Sequence, residues 1–192
     1  MTSGPAFGLP GVVGFLAGAH CTVFGSAPGR VPPAGYEKTA IVCANGAGYG
    51  LSRPADLTVL GAGVCRASDK TSRHTLKNMN GRRSERVLFI HPGTLSDYAE
   101  RFSDFGFSWA SHDVMTAEQR AEFIFGLTGY ASTGLTGPHA HSNGVLALLL
   151  AAAAGARRID ACGFSFSPGH FYIADETTPR NHADHDAHAL SW

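Results

Sequence analysis

A run of ten apolar residues, Val145–Ala154, is the feature that most restricts how this chain folds. Ser142, Asn143 and Gly144 precede the run. Since Ser and Asn are favoured helix N-caps, a helix is predicted over Val145–Ala156. This helix has almost no polar face, so other parts of the protein must cover it on most sides. At about 12 residues it is too short to cross a bilayer.

Short apolar runs that suit buried strands lie on both sides of this helix. Five strands are predicted: Cys21–Gly25, Thr39–Ala44, Asp56–Gly61, Arg86–Ile90 and Ile159–Phe166. Helical spacing predicts two more helices, Leu95–Phe105 and Thr116–Leu127. Strands that alternate with helices and are apolar almost throughout are typical of a parallel sheet. The sequence therefore predicts one Rossmann-like α/β domain over residues 1–192, with a mostly parallel sheet and helices on both faces.

Length and charge narrow the classes of function. With 192 residues the chain is long enough for one sizeable core, and we expect residues 1–10 to be poorly ordered. Fifteen basic and fifteen acidic residues cancel, which argues against nonspecific binding to nucleic acid. A mild apolar patch near the N-terminus lacks the preceding basic residues of a signal peptide. We therefore expect a cytoplasmic protein with no integral membrane segment, and an oligomer remains an open alternative.

The four cysteines are widely separated in the sequence. No CxxC pair indicates a zinc site, and most of these residues lie in apolar runs that resemble strands. The residues are Cys21, Cys43, Cys65 and Cys162. The sequence therefore predicts buried free thiols.

Two of the predicted strands end in turns that are rich in glycine. GSAPG at Gly25–Gly29 follows the first strand, and NGAG at Asn45–Gly48 follows the second. Such turns bring backbone N–H groups toward a phosphate or a nucleoside, and carboxyl ends of parallel strands face one crevice. The Asn45 amide suits a hydrogen bond to a base or a ribose. Alternatively, Asn45 is only a turn residue that tolerates a left-handed conformation.

The start of the apolar helix is a second place for an anion. The first turn of a helix leaves backbone N–H groups unpaired and carries the positive end of the helix dipole. Gly144 has no side chain, so a ligand can approach this turn closely. We therefore predict that Ser142, Asn143 and Gly144 contact an anionic group.

The C-terminal segment is rich in histidine. His182, His185 and His188 repeat every three residues, with Asp184 and Asp186 between them. One hypothesis is a catalytic His182, because an imidazole with a pKa of about 6.5 suits proton transfer at neutral pH. The alternatives are a solvated terminal helix and a metal site. HADHDAH lacks the HxHxDH pattern of zinc hydrolases, so we assign no metal ligands.

Four segments together resemble the sialyltransferases of animals and bacteria, which transfer a nonulosonic acid from its CMP ester to an acceptor hydroxyl. They are GSAPG at Gly25–Gly29, CANGA at Cys43–Ala47, the segment His141–Phe164, and the two histidines His170 and His182 with the neighbouring Tyr172. The resemblance implies a metal-independent, inverting glycosyltransferase without a cofactor. Its partners would be a CMP-sugar donor, carrying sialic acid or a relative such as Kdo, and a glycan or glycolipid acceptor.

The resemblance also implies roles for single residues. Asn45 would contact the cytidine or its ribose, Ser142 to Gly144 would hold the CMP portion, and His182 would be the general base. His170 and Tyr172 would stabilise the departing phosphate. The full set of implied nucleotide-binding residues is Gly25, Ser26, Ala27, Asn45, Gly46, Ser142, Asn143, Gly144 and Phe164.

The chain departs from the family pattern at two positions, and other functions stay open. Ser26 stands where the family has Asn, and the acidic residue after the last histidine falls at Asp186. One alternative is a nucleotide-binding module without transfer activity. Another is a pterin or nucleotide pyrophosphokinase, which needs Mg²⁺ and carboxylates; Asp56, Asp184 and Asp186 are its candidate residues.

Overall fold

The computed structural model describes residues 8–90, 96–135, 139–165 and 182–191. Six strands form one sheet in the order β5-β4-β3-β2-β1-β6, and every neighbouring pair is parallel. The strands are β1 His20–Phe24, β2 Ala40–Ala44, β3 Ala55–Gly61, β4 Arg83–Ile90, β5 Ser108–Met115 and β6 Arg158–Cys162. The predicted Rossmann-like α/β fold is confirmed.

Within the described ranges, five α-helices accompany the sheet: α1 Lys70–Met79, α2 Ser96–Asp104, α3 Ala117–Thr128, α4 Asn143–Ala153 and α5 Ala183–Ala189. The predicted N-cap of the apolar helix is confirmed, because the Ser142 hydroxyl accepts a hydrogen bond from the Val145 N–H. That helix, α4, begins two residues before Val145 and ends at Ala153, where the predicted helix runs on to Ala156. Short 3-10 helices occur at Gly11–Leu16, Tyr36–Lys38, Asn45–Gly48 and Ala62–Arg66.

Helices cover both faces of the sheet, as predicted. Along β4, Leu88 and Ile90 belong to the core beneath α4, while Val87 and Phe89 belong to the core beneath α1 and α2. This alternation follows from the two-residue period of a strand. The α4 side chains Val145, Leu146 and Leu150 are almost fully buried, as expected for a helix with almost no polar face.

The edge strand β5 is absent from the sequence prediction. Half of its residues, SWASHDVM, are polar, and the structure leaves Ser108, Ala110 and Ser111 exposed. An edge strand has a neighbour on one side only, so it does not need the continuous apolar run that marks the inner strands. The predicted final strand is also shorter than expected, because β6 ends at Cys162.

The strand order reverses between β1 and β6, the first and last of the described strands, which lie side by side at one edge of the sheet. In open α/β sheets ligands bind outside the carboxyl ends of the strands at such a point. Here the two strand ends are in close contact, since a Cβ on Gly25 would lie 2.4 Å from the Gly163 carbonyl oxygen. The glycines therefore allow β1 and β6 to stay paired to their last residues.

The predicted state of the cysteines is confirmed: all four are free and buried. None of the helices within the described ranges is long and apolar enough to span a membrane. Of the N-terminal segment predicted to be poorly ordered, residues 1–7 lie outside the described residues.

Candidate functional site

The first turn of α4 lies at the carboxyl edge of the sheet and binds a carboxylate of this chain. The Ser142 N–H donates a hydrogen bond of 2.8 Å to Oδ1 of Asp186, which belongs to α5. The Ser142 hydroxyl in turn accepts from the Val145 N–H at 3.2 Å. The predicted preference of this turn for an anion is thus already met in part by Asp186.

Two asparagines predicted to bind the nucleotide contact each other here, although 98 positions separate them in the sequence. Asn143 Nδ2 donates to Asn45 Oδ1 at 3.0 Å, and the Gly61 N–H donates to the same oxygen at 2.9 Å. Asn45 has a positive φ of 49°, so it is also the left-handed turn residue of the alternative interpretation. The contact joins the tips of β2 and β3 to the start of α4.

Arg120 is a member of this site that the sequence analysis did not identify. It lies on α3, is only 9% exposed, and donates to the Leu135 carbonyl at 2.6 Å and to Asn143 Oδ1 at 3.5 Å. Burial lowers the pKa of its guanidinium, and the nearby Asp186 carboxylate raises it in opposition. The only signal in the sequence is an arginine inside a helix whose other face is apolar.

His182, the predicted general base, lies next to the start of α4. Its Nδ1 is 2.7 Å from the Ala140 carbonyl oxygen. A carbonyl only accepts, so this ring nitrogen carries the proton and Nε2 of the neutral ring keeps a lone pair. The hydrogen bond therefore fixes the tautomer that a general base needs.

A cluster of rings lies beside His182. Tyr130 packs edge-on against His141 at 5.7 Å between ring centres and stacks on His188 at 4.9 Å. The Tyr130 hydroxyl is 3.1 Å from Nδ1 of His185. Burial lowers the pKa of His141 to about 4, and the electrostatic effects of His185, Arg120 and His182 add to the decrease. His141 is thus neutral at pH 7, and its buried Nε2 has no hydrogen-bond partner among the described residues.

Two backbone N–H groups of the first glycine turn make hydrogen bonds within the chain. The Gly25 N–H donates to the Cys162 carbonyl and the Ala27 N–H to the Gly163 carbonyl, both at 2.8 Å. These amides extend the pairing of β1 with β6 by one further step. They are therefore engaged with the chain itself at the position where the sequence analysis expects a nucleotide.

Arg30 links the first glycine turn to the second. Its guanidinium donates to the Ala47 carbonyl and, at 2.7 Å, to the Tyr49 carbonyl. It also lies over the Phe24 ring, 5.1 Å from the ring centre. The two predicted nucleotide-binding turns are therefore held together by one side chain.

Two cavities border the predicted residues. The larger has a volume of about 530 Å³, lies between the first turn and β6, and includes Ala27 and Phe164 in its wall. The smaller has a volume of about 210 Å³ and includes Asn45 and Gly46. A volume of 530 Å³ is within the range of small-molecule sites.

Phe164 connects the larger cavity to the start of α4. A Cβ on Gly144 would lie 3.1 Å from Cε1 of the Phe164 ring, so the ring packs closely over this glycine. The predicted close approach at Gly144 is therefore used by an aromatic side chain of the chain itself.

The remaining predicted residues lie outside the described part of the chain or have other contacts. His170 and Tyr172 lie outside the described residues. Within the described ranges, no three His, Cys, Asp or Glu side chains converge as metal ligands would. Asp56 accepts from Arg53 at 2.8 Å and from the Ile41 N–H at 2.7 Å. Asp186 instead accepts from the Ser142 N–H at the start of α4. Asp56 and Asp186, two of the three carboxylates proposed for a pyrophosphokinase, therefore have separate structural roles.

Comparison with family models, with curated proteins and with solved structures gives no match for this chain.

Proposed function

We propose that this chain is a glycosyltransferase that moves sialic acid or a related nonulosonic acid, such as Kdo, from its CMP ester to an acceptor hydroxyl. The observation that carries the proposal is the position of His182. Its Nδ1–H is held by the Ala140 carbonyl, two residues before the N-cap of α4, and this leaves Nε2 as a base.

The reaction is a single displacement. His182 Nε2 takes the proton of the acceptor hydroxyl as its oxygen attacks the anomeric carbon. The bond from that carbon to the phosphate oxygen breaks, and CMP leaves with the electron pair. Because attack and departure occur on opposite sides, the anomeric configuration inverts. CMP is a good leaving group once its phosphate is held, so the step requires no metal.

Polar groups at the carboxyl edge of the sheet suit a nucleotide. Asn45 and Asn143 form a pair of amides at the tip of β2, and the first turn of α4 favours a phosphate. The phosphate would share this turn with the Asp186 carboxylate. By the resemblance, His170 and Tyr172 would meet the departing phosphate, and the acceptor would be a glycan or a glycolipid.

The first test is ligand specificity measured by thermal unfolding. CMP and a CMP-sugar should raise the melting temperature, because a ligand that binds only the folded state stabilises it, whereas UDP and NAD should not. Absence of a shift with every cytidine nucleotide would rule out the proposal.

The second test separates catalysis from binding. His182→Ala should lower turnover of the CMP-sugar by about 100-fold while CMP still raises the melting temperature. His74→Ala is the matched control, because His74 also makes one hydrogen bond to a backbone carbonyl but lies on α1. Unchanged turnover in His182→Ala would exclude it as the base. CMP binding without release of CMP from any donor would instead indicate a nucleotide-binding module.

A further inference from the structure

A cleft on the opposite side of the sheet from α4 borders the proposed nucleotide site and shares Asn45 and Gly46 with it. It is the cavity of about 210 Å³. It lies between two separate hydrophobic clusters, one around Phe24 and Ile41 and the other around Phe89 and Phe102. The amino-terminal ends of β3 and β4 contribute Ala55 and Arg83 to its wall, so most of it lies away from the carboxyl edge.

The charge of this cleft is positive in a chain whose net charge is zero. Arg53, Arg82 and Arg83 line it, and its described lining contains no carboxylate. Arg53 pairs with Asp56 at 2.8 Å and Arg83 pairs with Glu85 at 3.4 Å. The Arg82 guanidinium forms no ion pair among the described residues and lies over the Tyr49 ring, 5.9 Å from its centre. Arg82 is therefore the cation available to a ligand.

The inner part of the cleft combines an apolar wall with an unused donor. Met79 and Phe107 supply apolar surface, and Asn78 lies beside them. Asn78 Nδ2 is buried and has no hydrogen-bond partner among the described residues. A buried donor without an acceptor is unfavourable, so a ligand oxygen atom that reached it would supply the missing hydrogen bond.

We propose that this cleft binds a small organic anion, with a carboxylate or phosphate head at Arg82 and an apolar body of about one ring against Met79 and Phe107. At about 30 Å³ of liquid volume for each water, the cavity has room for about seven waters, which suits a molecule of this size. Asn45 borders the cleft and also bonds Asn143, so an occupied cleft contacts a residue of the proposed nucleotide site.

Titration calorimetry with phenyl phosphate and with benzoate tests the proposal, and benzyl alcohol is the neutral comparison. At least one of the two anions should bind saturably, at least tenfold tighter than benzyl alcohol, and more weakly as salt is added. The anion that binds more tightly identifies the head group. Failure of both anions to bind, or equal binding of benzyl alcohol, overturns the proposal.

Two variants locate the binding. Arg82→Ala should weaken the anion at least fivefold, and since Arg82 is exposed the variant should fold normally. Arg73→Ala, an exposed arginine of α1 outside the cleft, should stay within twofold of the wild type. Equal affinity in Arg82→Ala overturns the assignment. CMP and phenyl phosphate should be able to bind to the same molecule at once, so mutually exclusive binding contradicts a separate cleft, whether or not the protein is a glycosyltransferase.

Discussion

His141 combines deep burial with an ionisable ring, because it is only 2% exposed and its Nε2 has no hydrogen-bond partner among the described residues. Burial is the main reason that its pKa falls from 6.5 to about 4, and the electrostatic effects of the neighbouring side chains add to it. A ring in this position stays neutral through the pH range in which His182 is proposed to act.

The depressed pKa of His141 predicts a loss of stability in acid. Below pH 6.5 the unfolded chain binds a proton at this ring, while the folded chain does not until about pH 4. The free energy of unfolding should therefore fall by roughly 3 kcal/mol between these pH values on account of this residue. Urea unfolding at pH 7, 5.5 and 4.5 measures the change. His141→Asn should lose correspondingly less stability over the range, and equal losses would contradict the assignment.

Replacement of Gly25 should also destabilise the protein, in this case through a steric clash. In Gly25→Ala the new methyl group would lie 2.4 Å from the Gly163 carbonyl oxygen, so β1 and β6 must separate at their ends. We expect the free energy of unfolding to fall by about 2 kcal/mol, within the usual range for overpacking. Chemical denaturation measures it. Gly63→Ala is the control, because a Cβ there meets nothing within 4 Å, and a similar loss in both variants would contradict the explanation.

At the residue scale, the sequence predicts the local role of a residue better than it predicts which distant residue it contacts. Ser142 as an N-cap follows from local preference, and the structure confirms it. The bond between Asn45 and Asn143 depends on how β2 and α4 come together, and no local pattern contains that information. Arg120 was missed because a lone arginine in a helix usually faces solvent.

Among the elements, α5 shows how a short helix is fixed by its contacts. Seven residues are too few for a helix that is stable alone in water. Ala189 is fully buried, His188 stacks on Tyr130, and Asp186 accepts from the Ser142 N–H. The alternative of a solvated terminal helix is therefore correct that this segment is helical. It is wrong in that one side of the helix packs against the rest of the protein.

Asp186→Ala should detach α5 from the start of α4. The change removes the acceptor of the Ser142 N–H and leaves the buried Arg120 without the carboxylate that favours its charge. We expect the free energy of unfolding to fall by about 2 kcal/mol and hydrogen exchange in α5 to become faster. Asp184→Ala is the control, since this exposed carboxylate lies on the same helix. Equal effects of both variants would contradict the contact.

The strands and helices also show which structural features sequence patterns do not predict. The inner strands β1 to β4 are predicted to within a few residues, because burial on both faces demands an apolar run. The edge strand β5 has no such demand, and its polar residues resemble a loop. The start and end of α4 differ from the prediction by two and three residues, since capping and tertiary contacts decide helix ends.

At the scale of the whole molecule, the reactivity of the four buried thiols measures unfolding of the protein. Burial raises the pKa of Cys21 to about 11 and that of Cys43 to about 12, so both are protonated as well as inaccessible at pH 8. Reaction with a disulfide reagent should therefore require unfolding, and its rate should rise with urea in step with the loss of structure. Rapid labelling of Cys21 or Cys43 in the native protein would contradict this packing.

Arg30 carries a consequence for protein engineering. Because one guanidinium joins the loop after β1 to the loop after β2, neither loop is an independent module. A chimera intended to change the ligand preference of this chain should exchange residues 25–30 and 45–49 as one cassette. Replacing the first loop alone would remove the Arg30 donor from the Ala47 and Tyr49 carbonyls, and replacing the second alone would remove these acceptors from Arg30.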